Sequence, residues 1–334
     1  MQNFKSNVLY ILVLMMSQTL FSCSEKRRVI TSYPIEKELV GKRLVEFDSL
    51  YNAYGVSMFG DDLVFSLIHS DDFLYVYDTQ NHRGHYSLKK GHGNDEMLAP
   101  LVTGQQLEIN GKDYVCIQER GSNVLYGVDL SSVANNMVKI ADFSVNSRQQ
   151  SIIYAYKTSD KSYIGASIAE SSKLFVYKDN KMVTIQPPLV DSTMFDANKF
   201  ELSQTRSTYS DVQGKMATGY FSFPMVNITD NRGENNVTIQ LDGEMPKYTK
   251  ANREATYQYI IDICSTEEHF FVLYDSPNNA KQMEILTFCW DGSPVAKYSV
   301  PRLMCFTVDK KAKRFVGLLE DDRDGVCCEF LYDI

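Results

Sequence analysis

Two patterns of apolar and polar positions divide the chain. Val8 to Leu20 is one almost unbroken apolar run behind a short polar start that holds Lys5. From residue 60 onward, short polar turns lead repeatedly into short apolar runs of strand character. Gly60-Asp61-Asp62 precedes Leu63-Val64-Phe65, and Gly111-Lys112-Asp113 precedes Tyr114-Val115-Cys116. The unit returns at Tyr163-Ile164, Met216-Ala217, Phe270-Phe271-Val272 and Phe315-Val316. The run starts at 63, 114, 163, 216, 270 and 315 lie 51, 49, 53, 54 and 45 residues apart. A second run usually follows each first one, as at Phe73 to Asp78, Val124 to Asp129, Lys173 to Lys178, Glu284 to Gly292 and Glu329 to Asp333.

A period near 50 residues built from strand-turn-strand units predicts an all-β, six-bladed β-propeller. A single four-stranded blade cannot cover both of its apolar faces, whereas a ring of blades covers each face with the next. After the start of the last repeat there is room for about three strands, so Arg43-Leu44-Val45-Glu46-Phe47 is expected to close the last blade from the N-terminus. A β-sandwich of similar strand count would not produce five near-equal spacings. The expected division is a signal peptide over 1–22, an anchor and linker over 23–40, and a propeller domain over 41–334.

The apolar run at Val8 to Leu20 is short for a membrane crossing and suits the core of a secretory signal. It ends at Leu20-Phe21-Ser22-Cys23, which resembles the lipobox of bacterial lipoproteins, with Phe21 bulkier than the usual occupant. The resemblance implies cleavage before Cys23 and acylation of its sulfur. Each buried methylene contributes about 0.8 kcal/mol, and a single chain holds only marginally, so two or more make a stable anchor. Cleavage removes Lys5 and takes the formal charge from −8 to −9. Ser24 stands where an aspartate would resemble an inner-membrane retention signal, and Glu25-Lys26-Arg27-Arg28 is not an acidic export tract. The expected location is the outer membrane, facing the periplasm.

The G-H-G-N-D-E stretch at Gly91 to Glu96 resembles the G-x-G-P-x-E turn of TolB-like six-bladed propeller lipoproteins of Gram-negative gut bacteria. Asn94 replaces the proline, and Met97 sits where an aromatic is commoner. The resemblance implies a secreted, lipid-anchored propeller and no particular mechanism. Read as residues, the glycines supply positive φ where the chain passes between blades, and Glu96 bonds free amides of the turn.

The net charge and a pI near 5.3 exclude a duplex-binding surface. No cofactor motif is present: the Gly-x-Gly lacks its third glycine, and there is no G-x-S-x-G elbow and no H-E-x-x-H. His69, His82, His85 and His92 read as loop residues at the outer rim. Six cysteines follow Cys23, none in C-x-x-C spacing. Four of them fall in the last two repeats, where an oxidising compartment permits a disulfide. Adjacent Cys327 and Cys328 should point to opposite faces of a strand. Asp61-Asp62, Asp71-Asp72 and Glu320-Asp321-Asp322-Arg323-Asp324 fall in turns, and Asp322 to Gly325 lacks the distal glutamate of a calcium loop. N-x-T sites at Asn227 and Asn236 are not ones that a bacterial lipoprotein commonly uses.

The fourth repeat departs most from the pattern, with R-S-T-Y-S-D at Arg206 to Asp211 just before its first run. Loops entering inner strands crowd a propeller's central funnel, so Arg206, Tyr209 and Asp211 are the candidate binding residues: a guanidinium, an aromatic face and a carboxylate. No catalytic or metal residue is assigned. The favoured expectation is a non-catalytic envelope propeller that binds a protein, peptide or glycan. The rival is a hydrolase or lactonase holding a divalent metal on the axis, which needs several ligands converging from different blades.

Overall fold

Each repeat forms its own small sheet in the computed structural model, which describes residues 26–46, 52–93, 96–131, 136–144, 150–168, 172–185, 202–234, 236–241, 245–246, 248, 257–320 and 326–334. Three short strands open the described chain: β1 (Lys26–Val29), β2 (Ile35–Glu38) and β3 (Lys42–Glu46). Blade 1 is β4 (Ala53–Phe59), β5 (Asp62–Leu67), β6 (Asp72–Asp78) and β7 (Arg83–Lys89). Blade 2 is β8 (Pro100–Ile109), β9 (Lys112–Glu119), β10 (Val124–Asp129) and β11 (Asn136–Asp142). Blade 3 comprises β12 (Ser151–Lys157), β13 (Tyr163–Ile168), β14 (Ser172–Lys178) and β15 (Lys181–Ile185). Blade 4 follows with β16 (Thr205–Ser210), β17 (Lys215–Tyr220), β18 (Met225–Asp230) and β19 (Asn236–Gln240). Blade 5 is β20 (Ile260–Ser265), β21 (His269–Tyr274), β22 (Gln282–Cys289) and β23 (Pro294–Pro301). Blade 6 is β24 (Leu303–Asp309), β25 (Arg314–Leu319) and β26 (Val326–Leu331), completed by β3 as its outer strand. Every named element among the described residues is a strand.

Closure is antiparallel, with Val326 opposite Glu46, Cys327 opposite Val45 and Glu329 opposite Lys42. The chain therefore seals its last blade with an N-terminal strand, as the sequence predicts. The expected linker is different: within 23–40, β1 adds in parallel to β19 on blade 4, and β2 adds in parallel to β23 on blade 5. Three consecutive blades are thus edged by one N-terminal strap. Both outer strands present unpaired backbone groups, and a short exposed segment between them pairs at lower free energy than it could reach in water.

Apolar packing follows the same ring. One core joins blades 4 and 5 through Val226, Ile228, Phe270 and Phe288. Another joins blades 5 and 6 through Phe271, Tyr298, Phe306 and Phe315. Val45, Phe65 and Val316 lie in the core between blades 6 and 1. Further cores join blades 1 and 2, 2 and 3, and 3 and 4. Cys327 lies in one core and Cys328 in the next, so the neighbours do face opposite sides. The six described cysteines are free thiols, with no disulfide among them.

The repeating runs prove to be the second strand of each blade rather than the first. A second strand is paired on both edges and covered on both faces, so it is the most uniformly apolar. Leu63, Val64 and Phe65 of β5 are all fully buried. The innermost strands lie just upstream and carry the polar residues of the axis. Val45→Asp should lower stability by several kcal/mol, because it places a charge in the core where blades 6 and 1 meet. Val40→Asp, at an 86% exposed position just before β3, should stay within about 0.5 kcal/mol of the parent. Urea unfolding midpoints of the two variants check this.

Candidate functional site

All six innermost strands, β4, β8, β12, β16, β20 and β24, contribute to one axial cavity of about 630 Å³. Among the described residues, its turn residues come from hairpins that follow inner strands: Gly60, Asp211, Val212, Glu267 and Lys310. The funnel therefore opens on the face of those hairpins. Arg206, Tyr209 and Asp211 all line it. Arg206 and Tyr209 belong to the inner strand itself, not to a loop ahead of it, and Asp211 begins the turn that follows.

Alternation along β16 sends these side chains to different neighbours. Tyr209 turns toward blade 3, where its ring stacks on Tyr156 with centroids 5.7 Å apart. Its hydroxyl donates to Asp211 Oδ1 at 3.3 Å. Burial and the adjacent Asp211 charge push the Tyr209 phenol well up. Arg206 turns toward blade 5, where its Nε lies 3.7 Å from Asp262 Oδ1. That spacing is an ion pair but exceeds hydrogen-bond length. The Nε is buried and makes no hydrogen bond among the described residues.

Asp262 is the residue the sequence reading missed. A β-bulge between Ile260 and Asp262 re-aims the strand at this point. Oδ1 accepts from the Ile263 amide at 3.0 Å, and Oδ2 accepts from the Phe306 amide of blade 6 at 3.2 Å. Burial pushes its carboxyl up, while Arg206 and the two amides work in the opposite direction. The signal was a single carboxylate inside Ile260-Ile261-Asp262-Ile263-Cys264, a run otherwise apolar.

Polar links around the funnel fix the inner strands to one another. Tyr154 and Tyr156 of blade 3 donate their hydroxyls to the Thr205 and Ser207 carbonyls of blade 4, each at 2.5 Å. Thr208 and Ser265 hydroxyls meet at 2.7 Å between blades 4 and 5. Gly104, at φ +81°, sits where the register of β8 shifts between Val102 and Gln106. The shift carries Gln105 to the backbone of Lys157, which it bonds from both amide atoms at 2.7 and 2.9 Å.

The remaining candidates lie elsewhere. Gly93 N donates to Glu96 Oε2 at 2.8 Å, as expected; of the two glycines expected at positive φ, Gly91 is there at +154° and Gly93 is not. His69, His82 and His92 are exposed away from the funnel, and His82 Nδ1 lies 3.0 Å from the Tyr77 hydroxyl. Asn227 is fully buried and donates to Thr229 Oγ1 at 2.9 Å, which closes its N-x-T site to modification. Cys23 and Asp321 to Gly325 lie outside the described residues.

A second cavity of about 600 Å³ lies between blades 1 and 2 and is acidic. Asp62 faces Asp78 directly across the strands; burial, then the Asp78 charge, pushes the Asp62 carboxyl up. Asp129 behaves oppositely. Burial opposes its charge, but Lys112 Nζ at 2.5 Å and the Ser131 amide and hydroxyl hold its carboxyl at about 2. Among the described residues, no three His, Cys, Asp or Glu side chains are arranged to hold a metal ion.

No family model matches the chain, and no curated protein matches it. Solved structures do. A member of the DUF4221 family from Bacteroides vulgatus aligns with TM-score 0.57 at 9% identity, over 89% of this chain and 98% of that one. A luciferin-regenerating enzyme aligns at 0.52 and 10% identity, over 88% and 95%. A calcium-binding protein, regucalcin, from Agrobacterium tumefaciens aligns at 0.51 and 9% identity, over 90% and 99%. The chain is a six-bladed β-propeller. At these identities the likeness is one of fold, and the resemblance to TolB-like lipoproteins is carried by the motif alone.

Two measurements test this electrostatic picture. Arg206→Met should cost about 3 kcal/mol by leaving Asp262 buried without its cation, and Arg206→Met with Asp262→Asn should recover most of that loss. Equal costs for the single and double variants in urea unfolding would contradict the pairing. For Asp129 the folded carboxyl titrates below its ordinary value. Its stabilisation is therefore complete above pH about 4 and is lost as pH falls toward about 2. Asp129→Asn should lower stability at neutral pH by about 1–2 kcal/mol, and the gap to the parent should close across that window. A gap independent of pH would contradict it.

Proposed function

We propose that this protein is a non-catalytic binding propeller of the cell envelope, held in the outer membrane by lipid on Cys23 and facing the periplasm. Its axial funnel receives the carboxylate-bearing end of a protein, peptide or glycan partner. The observation that carries the reading is Arg206, a guanidinium lining the funnel whose ion-pair partner among the described residues, Asp262, already has its own hydrogen bonds. Asp262 takes two backbone amides, so the pair is loose. A guanidinium fork matches a carboxylate in a bidentate way.

Charge balance favours a monoanion over a phosphate. The funnel lining holds two cations, Arg206 and Lys310, against three carboxylates, Asp211, Asp262 and Glu267, so it carries no excess of positive charge, and a dianion in a site of this kind wants several donors of positive charge. The walls offer neutral hydrogen-bonding groups, among them Ser57, Ser210, Gln106 and Thr307, with Tyr54 and Tyr209 as aromatic surfaces. A cavity of about 630 Å³ lies within the range that holds small ligands or a chain end. The lipid anchor is supported by the Val8 to Cys23 pattern.

The test is calorimetric titration of the form lacking residues 1–23 with matched probes: peptides with free or amidated C-termini, and oligosaccharides ending in a uronic acid or a neutral sugar. In one of the two series the carboxylate form should bind at least about ten-fold more tightly than its neutral counterpart. Arg206→Lys, which keeps the charge and loses the fork, should weaken that binding by a similar factor. Equal binding of charged and neutral forms, no binding in either series, or an unaffected Arg206→Lys variant would overturn the reading.

A further inference from the structure

The topology of the N-terminal strap fixes which face of the ring the anchor can hold. In blade 4, β16 runs toward the funnel mouth, β17 away, β18 toward it and β19 away. The turns at 211–214 and 231–234 therefore share the mouth face, and the Asn231 amide donates to the Gly214 carbonyl at 2.9 Å across them. β1 lies parallel to β19 with Lys26 beside Val237 and Val29 beside Gln240. Lys26 thus stands at the mouth-face end of the outer edge, and β1 runs away from that face.

The strap cannot swing free of this geometry. The Ile30 amide donates to the Gln240 carbonyl at 3.0 Å, and the Leu39 amide to the Ser299 carbonyl at 2.9 Å. Arg27 bonds Gln240, and Arg28 Nη1 lies 3.4 Å from Ser293 Oγ. Only Ser24 and Glu25 separate Cys23 from Lys26, three Cα steps with a reach of at most about 11 Å when fully extended. A six-residue strand such as β16 spans about 20 Å from one face to the other. The tether is too short to cross that height to the opposite face.

We infer that the anchored protein turns its funnel mouth toward the bilayer that holds Cys23, so that its ligand is one carried at that membrane's own surface. This rests on reading Cys23 as acylated. A propeller on a long unstructured linker would sample every orientation, whereas here the stretch expected to be a linker is built into two blades. The mouth presents Val212, which is 69% exposed, and the opposite face presents Leu98, which is 53% exposed.

The test uses the full chain expressed with its signal in a Gram-negative host, purified with its native lipid and reconstituted in vesicles bearing a headgroup quencher. In a background lacking the partly accessible Cys264 and Cys289, a fluorophore is placed by Val212→Cys at the mouth, Val29→Cys on the blade 4 edge or Leu98→Cys on the far face. Quenching should be strongest at position 212, weaker at 29 and weakest at 98. A long Gly/Ser insertion between Ser24 and Glu25 should abolish the difference. Palmitate incorporated at Cys23 with quenching strongest at 29 or 98 overturns this inference alone. No palmitate incorporation, with Cys23→Ala behaving as the parent, overturns the anchor reading and this inference with it. The calorimetric test of the funnel is unaffected by either result.

Discussion

Every blade in this protein depends on its neighbours to cover two apolar sheet faces. A four-stranded sheet of about six residues per strand has two broad faces and little thickness, so it has no interior of its own. The apolar side chains of blades 4 and 5, such as Ile228 and Phe270, meet in one core, and the same arrangement recurs around the ring. Burying such area at roughly 25 cal/mol per Å² is the main favourable term available to a fold of this kind. It is realised only when the last interface closes. The contact between blades 6 and 1, where Val45 and Cys327 join Phe65 and Val316, therefore matters to all six blades.

Closure also creates the funnel. Six inner strands converge without forming a continuous sheet, so their mutual positions are set by side chains reaching across: Tyr154 and Tyr156 to blade 4, Thr208 to Ser265, Asp262 to the Phe306 amide, and Thr307 to the Met58 amide at 3.1 Å. All of these links except the Thr208–Ser265 hydroxyl pair engage a backbone group of an inner strand, which is why hydroxyl, amide and carboxylate side chains concentrate near the axis of an otherwise apolar molecule. The same polarity that fastens the strands supplies a ligand with hydrogen-bonding partners. Arg206 stands apart because its buried Nε makes no hydrogen bond among the described residues.

The architecture was legible because one strand per blade is sheltered on every side. Second strands such as Leu63-Val64-Phe65 and Phe270-Phe271-Val272 stay apolar under that constraint, and their spacing revealed six units. Inner strands were less legible. Thr205–Ser210 has one edge facing the funnel, so Arg206 to Asp211 reads as a polar loop entering the blade, whereas most of it is the innermost strand. All three residues line the axial cavity, but the pairing of Arg206 with Asp262 joins positions 56 apart in sequence and follows from ring geometry alone. The linker expectation failed for a related reason. Lys26–Val29 and Ile35–Glu38 are too short and too charged to announce strands, and they pair through backbone bonds that no side-chain pattern records.

The central claim is that an N-terminal strand seals a ring whose blades stabilise one another. Native-state hydrogen exchange reads this most directly, because it compares local opening with global unfolding strand by strand. If the account is right, amides of β3 that face β26 exchange with the same free energy as amides in the middle of β25 and β5. If β3 exchanges freely, like a frayed terminus, while the other blades stay protected, the ring is stable without its seal and the account is wrong.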